Sequence, residues 1–465
     1  MKHEDVKKIN TDEGYIGKSV VVCGWIKTIR KSKNICFIEL NDGTSLKNLQ
    51  LVIDSSSNER LFDFCSHLNI GSSIAAKGEI VKSMNENQRI ELNVNNIELF
   101  GDCSKDYPIQ RKKQNMEYLR EYPHLRLRTN TFNAVFRVRN VLAMAVHEYF
   151  QSNNYLYANT PIITASDCEG AGELFRVTTL DIDDVSQNQY NSDIDSTDFF
   201  GKKVGLTVTG QMEAEAMACA FGKVYTFGPT FRAENSNTKR HAAEFWQIEP
   251  EIAFADLNDI INIATDVIKY VLKKVLIKCP DEIKFLTRFY DKDLFDRLVN
   301  VVENDFAILD YTDAIKLLQK SGVTFEYPVY WGCDLKSEHE RYITDVIYKK
   351  PVFITNYPKE LKAFYMKTNP DGKTVASTDL LVPGIGEIIG ASQREDNFEL
   401  LDKRIEELNM TKEDYLWYLD LRKYGSVPHS GFGIGFERLV MYATGMYNIR
   451  DAIPFPRTKC KKLKI

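Results

Sequence analysis

The sequence predicts an α+β fold in two parts, a small five-stranded β-barrel followed by a larger domain with an antiparallel sheet flanked by helices. Three observations predict it. Residues 15–101 alternate apolar and polar with a period of two, and turn signals such as Asn41-Asp42-Gly43 cut them into strands. From about residue 131 long helical periodicities appear between strand-like segments. No long run of βαβ units is present, so a parallel sheet is not expected.

The barrel strands are expected at 19–26, 34–40, 49–53, 73–80 and 89–94, with a short helix at 61–68 between the third and fourth. That order suggests a Greek-key barrel of the OB type, a fold that commonly binds single-stranded nucleic acid. The barrel domain is assigned to 1–103. Residues 104–130 are polar and basic, carry Pro108 and Pro123, and read as a hinge. The second domain is assigned to 131–465. Helices are expected at 136–150, 256–278 and 291–321, and strands at 203–208, 224–234, 244–253, 352–356, 363–366 and 431–435. Residues 181–198, rich in Asp, Asn and Ser, read as a surface insertion.

Composition narrows the function classes. The chain has 465 residues, 43% hydrophobic and 27% charged, which at roughly 100–200 residues per domain suggests about two to four domains. No apolar run reaches membrane-span length. The N-terminus is charged and lacks the apolar core of a secretory signal. Nine cysteines, with no pair at zinc-site spacing, point to reduced thiols and a cytoplasmic protein. The net charge of −5 argues against a general nucleic-acid coat. It leaves room for local basic surfaces, such as Lys27, Arg30, Lys31 and Lys33, or 111–113, or the lysines after 458.

Three motifs carry chemistry. In Phe231-Arg-Ala-Glu234, Arg232 and Glu234 share one face of a strand. The chain then loops through 235–241 and returns at Glu244, which brings Arg232, Arg240 and His241 around one cleft with Phe245 on its floor. Arginine suits phosphate because its planar fork donates two parallel hydrogen bonds, and an aromatic ring can stack on a base. The second motif is Gly431-Phe-Gly-Ile-Gly-Phe-Glu-Arg438. Its alternating glycines leave one strand face as bare backbone, on which a flat ligand can lie, and Arg438 stands at the end of that face. In the third, Asp379 and Glu387 flank a Pro-Gly turn and are oxygen ligands of the kind Mg²⁺ accepts together with substrate phosphates.

In this order the motifs resemble those of class II aminoacyl-tRNA synthetases. The remaining class motif, a long helix leading to a strand that ends in proline, is matched by 136–150 and Pro161. In the family it forms the interface of a homodimer. An N-terminal OB barrel is similar to the aspartyl, asparaginyl and lysyl branch. Residues 231–238, 331–341 and 383–390 resemble the bacterial asparaginyl family, and the length agrees, since bacterial aspartyl enzymes usually carry a large extra domain. The resemblance runs from the barrel to Arg457.

It implies a two-step reaction. ATP and L-asparagine form asparaginyl-adenylate, and the 3′-terminal hydroxyl of tRNA(Asn) then takes the aminoacyl group. Arg232, with Glu234 beside it, would hold the α-phosphate, Arg438 with Arg240 or His241 the γ-phosphate, and Phe245 the adenine. Glu387 and Asp379 would carry Mg²⁺. Glu169 and Gln211 would hold the substrate ammonium and Arg394 its side-chain carbonyl. Arg30, Phe37 and Gln50 match anticodon-reading positions, with Phe37 stacking on the central U.

Glu215, one helical turn past Gln211, is expected to accept from the asparagine amide and to repel aspartate. The aspartyl enzymes place a lysine after their matching glutamine, whereas this chain has Ala214 and Glu215. One departure is Ala391, where the family usually has glycine. The competing readings are an aspartyl enzyme, including a non-discriminating one, and an ammonia-dependent asparagine synthetase, which would lack the barrel. A non-enzymatic nucleic-acid binder would be expected to lack a motif arginine.

Overall fold

A computed structural model describes residues 2–84, 88–109, 114–166, 174–181, 194–235 and 238–459. The chain divides into two compact units, residues 1–134 and 135–465.

The first unit holds a closed barrel of β1 (Ser19–Lys31), β2 (Ile35–Asn41), β3 (Leu49–Asp54), β4 (Ser73–Lys82) and β5 (Ile90–Gly101) in the order β1-β2-β3-β5-β4. The alternation seen in the sequence becomes an inside and an outside. Cys36, Ile38 and Leu40 of β2 and Leu49, Leu51 and Ile53 of β3 fill the barrel, and the residues between them face outward. The helix Glu59–Ser66 closes one side, its N-terminus capped by the Asn58 side chain, which accepts from the Leu61 amide at 2.9 Å. A further helix, Val6–Thr11, was not expected; it buries Val6 and Ile9 in the same core. The helices Met116–Arg120 and Pro123–Arg126 follow the barrel.

The second unit is built on an eight-stranded sheet. Its strands are β6 (Leu156–Tyr157), β10 (Lys223–Phe231), β11 (Glu244–Ala253), β12 (Ala307–Asp310), β13 (Val352–Thr355), β14 (Ser377–Val382), β15 (Gly386–Gln393) and β16 (His429–Gly435), in the order β12-β13-β14-β15-β16-β11-β10-β6. A separate small sheet holds β7 (Ile163–Thr164), β9 (Val204–Leu206) and β8 (Arg176–Val177). Neighbours in the large sheet run antiparallel except β10–β6 and β12–β13. The helix Leu257–Lys278 starts at a capping box of Asp256 and Asp259 and buries Ile260, Ala264, Val267, Ile268 and Val271.

Two expectations need correction. The helix expected over 291–321 is two helices, Leu294–Glu303 and Tyr311–Gln319, because Ala307–Asp310 between them is drawn into the sheet beside Val352–Thr355. Residues 363–366 form no strand beyond a single bridge from Met366 to Arg394. Phe364 and Tyr365 instead pack with Tyr415 and Tyr418 in a core below the sheet. Of the supposed surface insertion, 182–193 lies outside the described residues. Ile194–Thr197 is a short helix, and Asp198 after it is buried, accepting from the Thr179 amide at 3.0 Å. Among the described residues no helix is long and apolar enough to cross a membrane.

Candidate active site

One face of the large sheet carries a cavity of about 310 Å³. Strand alternation puts Phe245, Gln247, Glu249 and Glu251 of β11 on that face, and register brings the glycines of β16 beside them, with Gln247 opposite Gly435 and Glu251 opposite Gly431. Two strands further on, Gly433 pairs with Gly390 and Gly390 with Asp379. Arg232, Glu234, Arg240, His241, Gln211, Glu387, Arg394 and Arg438 also line the cavity. Ten of the expected site residues therefore meet in one place, although they come from segments as far apart as Gln211 and Arg438.

At one end stand the arginines of the two motifs. Arg232 lies 5.4 Å from the Phe245 ring centroid and 3.9 Å from Glu234. Arg438 sits 3.5 Å from the Glu387 carboxylate, and Arg240 donates to Ser337 at 2.9 Å. Burial, together with the nearby arginines, holds the His241 imidazole below its ordinary value.

The bare strand is used in two ways. A methyl group on Gly433 would meet only Gln247, at 3.8 Å, so the backbone there is open to the cavity. A methyl on Gly431 would fall 2.1 Å from the Glu251 carboxylate, so that glycine makes room for a side chain of the protein and not for a ligand.

Asp379 and Glu387 flank the same space. A methyl built on Gly390 would lie 3.6 Å from a Glu387 oxygen and 3.7 Å from an Asp379 oxygen. Two hard oxygens around an open position fit a divalent cation. Asp379 also accepts two hydrogen bonds from Lys362, at 2.8 and 2.6 Å, a residue that sequence reasoning missed. A third carboxylate, Glu340, accepts from the Glu387 amide at 3.3 Å. Burial and the Glu387 charge push its carboxyl up to about 7.

The other end is closed and fully paired. Arg394 is almost wholly buried and forks onto Glu251, with Nε at 3.2 Å and a second contact from the terminal nitrogen, while its other terminal nitrogen donates to Ser392 at 2.7 Å. Burial alone would lower the guanidinium, but Glu251 and Glu215 hold it well above its ordinary value. Glu249 accepts from the Gly210 amide and from Thr226, both at 3.0 Å.

Glu215 corrects an expectation. It has no exposed surface and does not line the cavity. It lies beneath the floor, accepting from Gln211, Tyr418 and Arg422 and contacting His429. Burial alone would raise its carboxyl, yet Arg422, His429 and Arg394 hold it well below the carboxylate range. A substrate cannot reach it. The side chain that meets Arg394 head-on is Glu251, which no local motif marked; only the pairing of β11 with β16 brings it there. Glu169 lies outside the described residues.

On the barrel, Arg30 and Phe37 are direct cross-strand partners, and Gln50 pairs with Glu39, two residues along β2 from Phe37. All three sit on the outer face of β1–β3. Gln50 donates to Glu91 at 3.2 Å, and Arg30 reaches Glu39 at 3.4 Å.

Comparison with known proteins adds to this geometry. Residues 115–459 match the family described as tRNA synthetases class II (D, K and N), and residues 20–100 match the OB-fold nucleic acid binding domain. The chain is 55% identical over 459 residues to an asparagine–tRNA ligase of Clostridium kluyveri, covering 98% of this chain and 99% of the relative. It is 56% identical over 459 residues to that of Clostridium tetani, with the same coverage. Among solved structures it is similar to asparaginyl-tRNA synthetase from Pyrococcus horikoshii complexed with asparaginyl-adenylate, at 33% identity and a TM-score of 0.86 over 100% of both chains.

Proposed function

From its membership of the class II tRNA synthetases of the D, K and N family, we infer that this chain joins asparagine to tRNA. It activates L-asparagine with ATP to asparaginyl-adenylate and passes the aminoacyl group to the 3′ end of tRNA(Asn). The observation that carries the choice of amino acid is the buried pair of Arg394 and Glu251 at the closed end of the cavity. An unpaired arginine there would favour the aspartate carboxylate, since charge-assisted bidentate bonds are the stronger ones. Here a carboxylate already answers that charge. A neutral carboxamide can accept from the one and donate to the other, whereas aspartate would add a second negative charge.

The residues of the open end have complementary work. Arg232 neutralises the α-phosphate as the asparagine carboxylate attacks it, and Arg438 with Arg240 and His241 holds the distal phosphates. Phe245 and the open backbone at Gly433 take the adenine. No side chain forms a covalent bond with substrate, so catalysis rests on positioning and fixed charge. Asp379 and Glu387 would hold Mg²⁺, which when bound offsets triphosphate charge. Gln211 offers an acceptor to the substrate ammonium. The outer face of the barrel, with Arg30, Phe37 and Gln50, reads the anticodon. Homodimer formation is supported by apolar side chains left exposed around the sheet-edge strand β6, namely Leu156, Tyr157, Ile162 and Ile163.

The test is amino-acid-dependent exchange of pyrophosphate into ATP, run with asparagine and aspartate side by side. Asparagine is expected to support exchange with a kcat/KM about 10⁴–10⁵-fold above aspartate, the range that sites built for one polar group achieve. Equal rates would point to a non-discriminating enzyme.

A further inference from the structure

We propose that Glu215 is a positioning residue that decides which end of the Gln211 amide faces the cavity. The proposal rests on reading the closed end of the cavity as the amino-acid site.

Gln211 opens the helix Gln211–Phe221, and Glu215 follows one turn later on the same face. The Gln211 side chain lines the cavity above, and its Nε2 donates to Glu215 below at 3.0 Å. An amide turned by half a rotation has almost the same shape, so packing alone does not choose between its oxygen and its nitrogen. The partner's chemistry chooses. Glu215 is surrounded by donors: Tyr418 at 2.9 and 2.7 Å to its two oxygens, Arg422 at 3.0 Å and His429 at 2.9 Å, with Arg394 3.9 Å away. Ringed by two guanidinium groups it is ionised, and an ionised carboxylate only accepts. The NH₂ of Gln211 must therefore point down, which leaves its carbonyl oxygen for the cavity. A carbonyl attracts an ammonium group, and an NH₂ in its place would repel one. Glu215 thus acts on the substrate without touching it, and its charge is carried through the orientation of one amide.

The substitution Glu215→Gln keeps the volume and removes the charge. Tyr418 and Arg422 then claim the new carbonyl, the new NH₂ faces Gln211, and the Gln211 amide turns over. The KM for asparagine in pyrophosphate exchange should rise at least tenfold while the KM for ATP stays within twofold. The double variant Gln211→Glu with Glu215→Gln should recover most of that loss. Its residue 211 can accept from the amide below with one oxygen and offer the other to the ammonium, and total charge is unchanged. Gln211→Glu alone sets two carboxylates face to face, so it should raise the asparagine KM at least tenfold even though it supplies a stronger acceptor.

If Glu215 only balanced buried charge, the double variant would be no better than Glu215→Gln, and that result overturns the proposal. So does an unchanged asparagine KM in Glu215→Gln. Should that variant fail to fold, Gln211→Glu decides alone, and a KM that holds or falls overturns the proposal. Gln211→Met separates the underlying reading: if it leaves the asparagine KM unchanged, this end of the cavity is not the ammonium site at all.

Discussion

The two ends of the cavity are built on opposite principles. At the open end the side chains of Arg232 and Arg438 keep 27% and 31% of their surface exposed, and their carboxylate neighbours stand 3.9 and 3.5 Å away. At the closed end Arg394, and beneath its floor Arg422, keep 3% and none, and each is engaged by a buried carboxylate. On the proposed function, the difference separates two tasks. A site that must receive and release a triphosphate leaves its positive charge loosely paired, so that phosphate can replace the protein's own acids. A site that must tell an amide from a carboxylate sets its charges beforehand and shields them from water, where each misplaced charge costs more.

This contrast can be broken by experiment. The largest effect is expected from Arg394→Ala, which leaves Glu251 buried beside no cation. Such half-removed buried pairs cost about 3–5 kcal/mol, so the thermal midpoint should fall and activation of both asparagine and aspartate should vanish. A stable variant with only asparagine activity reduced would mean that the closed end is not prearranged as described. Arg232→Ala should be the mirror case: folding is unaffected, and pyrophosphate exchange falls about 10²–10³-fold, the scale of losing one fixed charge at the reacting group. Retention of exchange within a few-fold would remove Arg232 from the α-phosphate.

A third region sharpens the contrast from outside the cavity. Phe37 is a half-buried ring on the barrel's outer face. Base stacking on an aromatic is worth about 1–3 kcal/mol, so Phe37→Ala should weaken use of tRNA by a corresponding factor. Pyrophosphate exchange, which needs no tRNA, should be unchanged. Loss of both activities together would contradict the division of labour between barrel and cavity.

The smallest effect is expected at the strand of glycines. Gly433→Ala meets nothing closer than 3.8 Å, so the fold should tolerate it while the KM for ATP rises about tenfold, near 1.4 kcal/mol. Gly431→Ala should instead lose stability, because its methyl displaces Glu251. If both variants were equally stable, the assignment of one glycine to a ligand and the other to a side chain would be wrong.

What was legible in the sequence follows from periodicity. A strand's alternation decides its faces before any partner is known, which is why Arg30, Phe37 and Gln50 share the outside of the barrel, and why Arg232 and Phe245 meet Arg438 across a strand of alternating glycines. The order of the motifs along the chain was legible too. The tertiary structure alone decided which charge answers which. In the sequence Glu215 stood out by its place one turn past Gln211, and Glu251 was marked by no motif. Burial under Tyr418, Arg422 and His429, which come from a helix and a strand two hundred residues further on, makes one a support beneath the floor. Pairing of β11 with β16 makes the other the partner of Arg394. Lys362 on Asp379 escaped for the same reason, since it lies just before 363–366, a stretch read as a strand that the structure does not form. A local pattern determines the direction in which a side chain points. The energy of a buried charge depends on every element packed around it, and that is settled only when distant parts of the chain close over the same few ångströms.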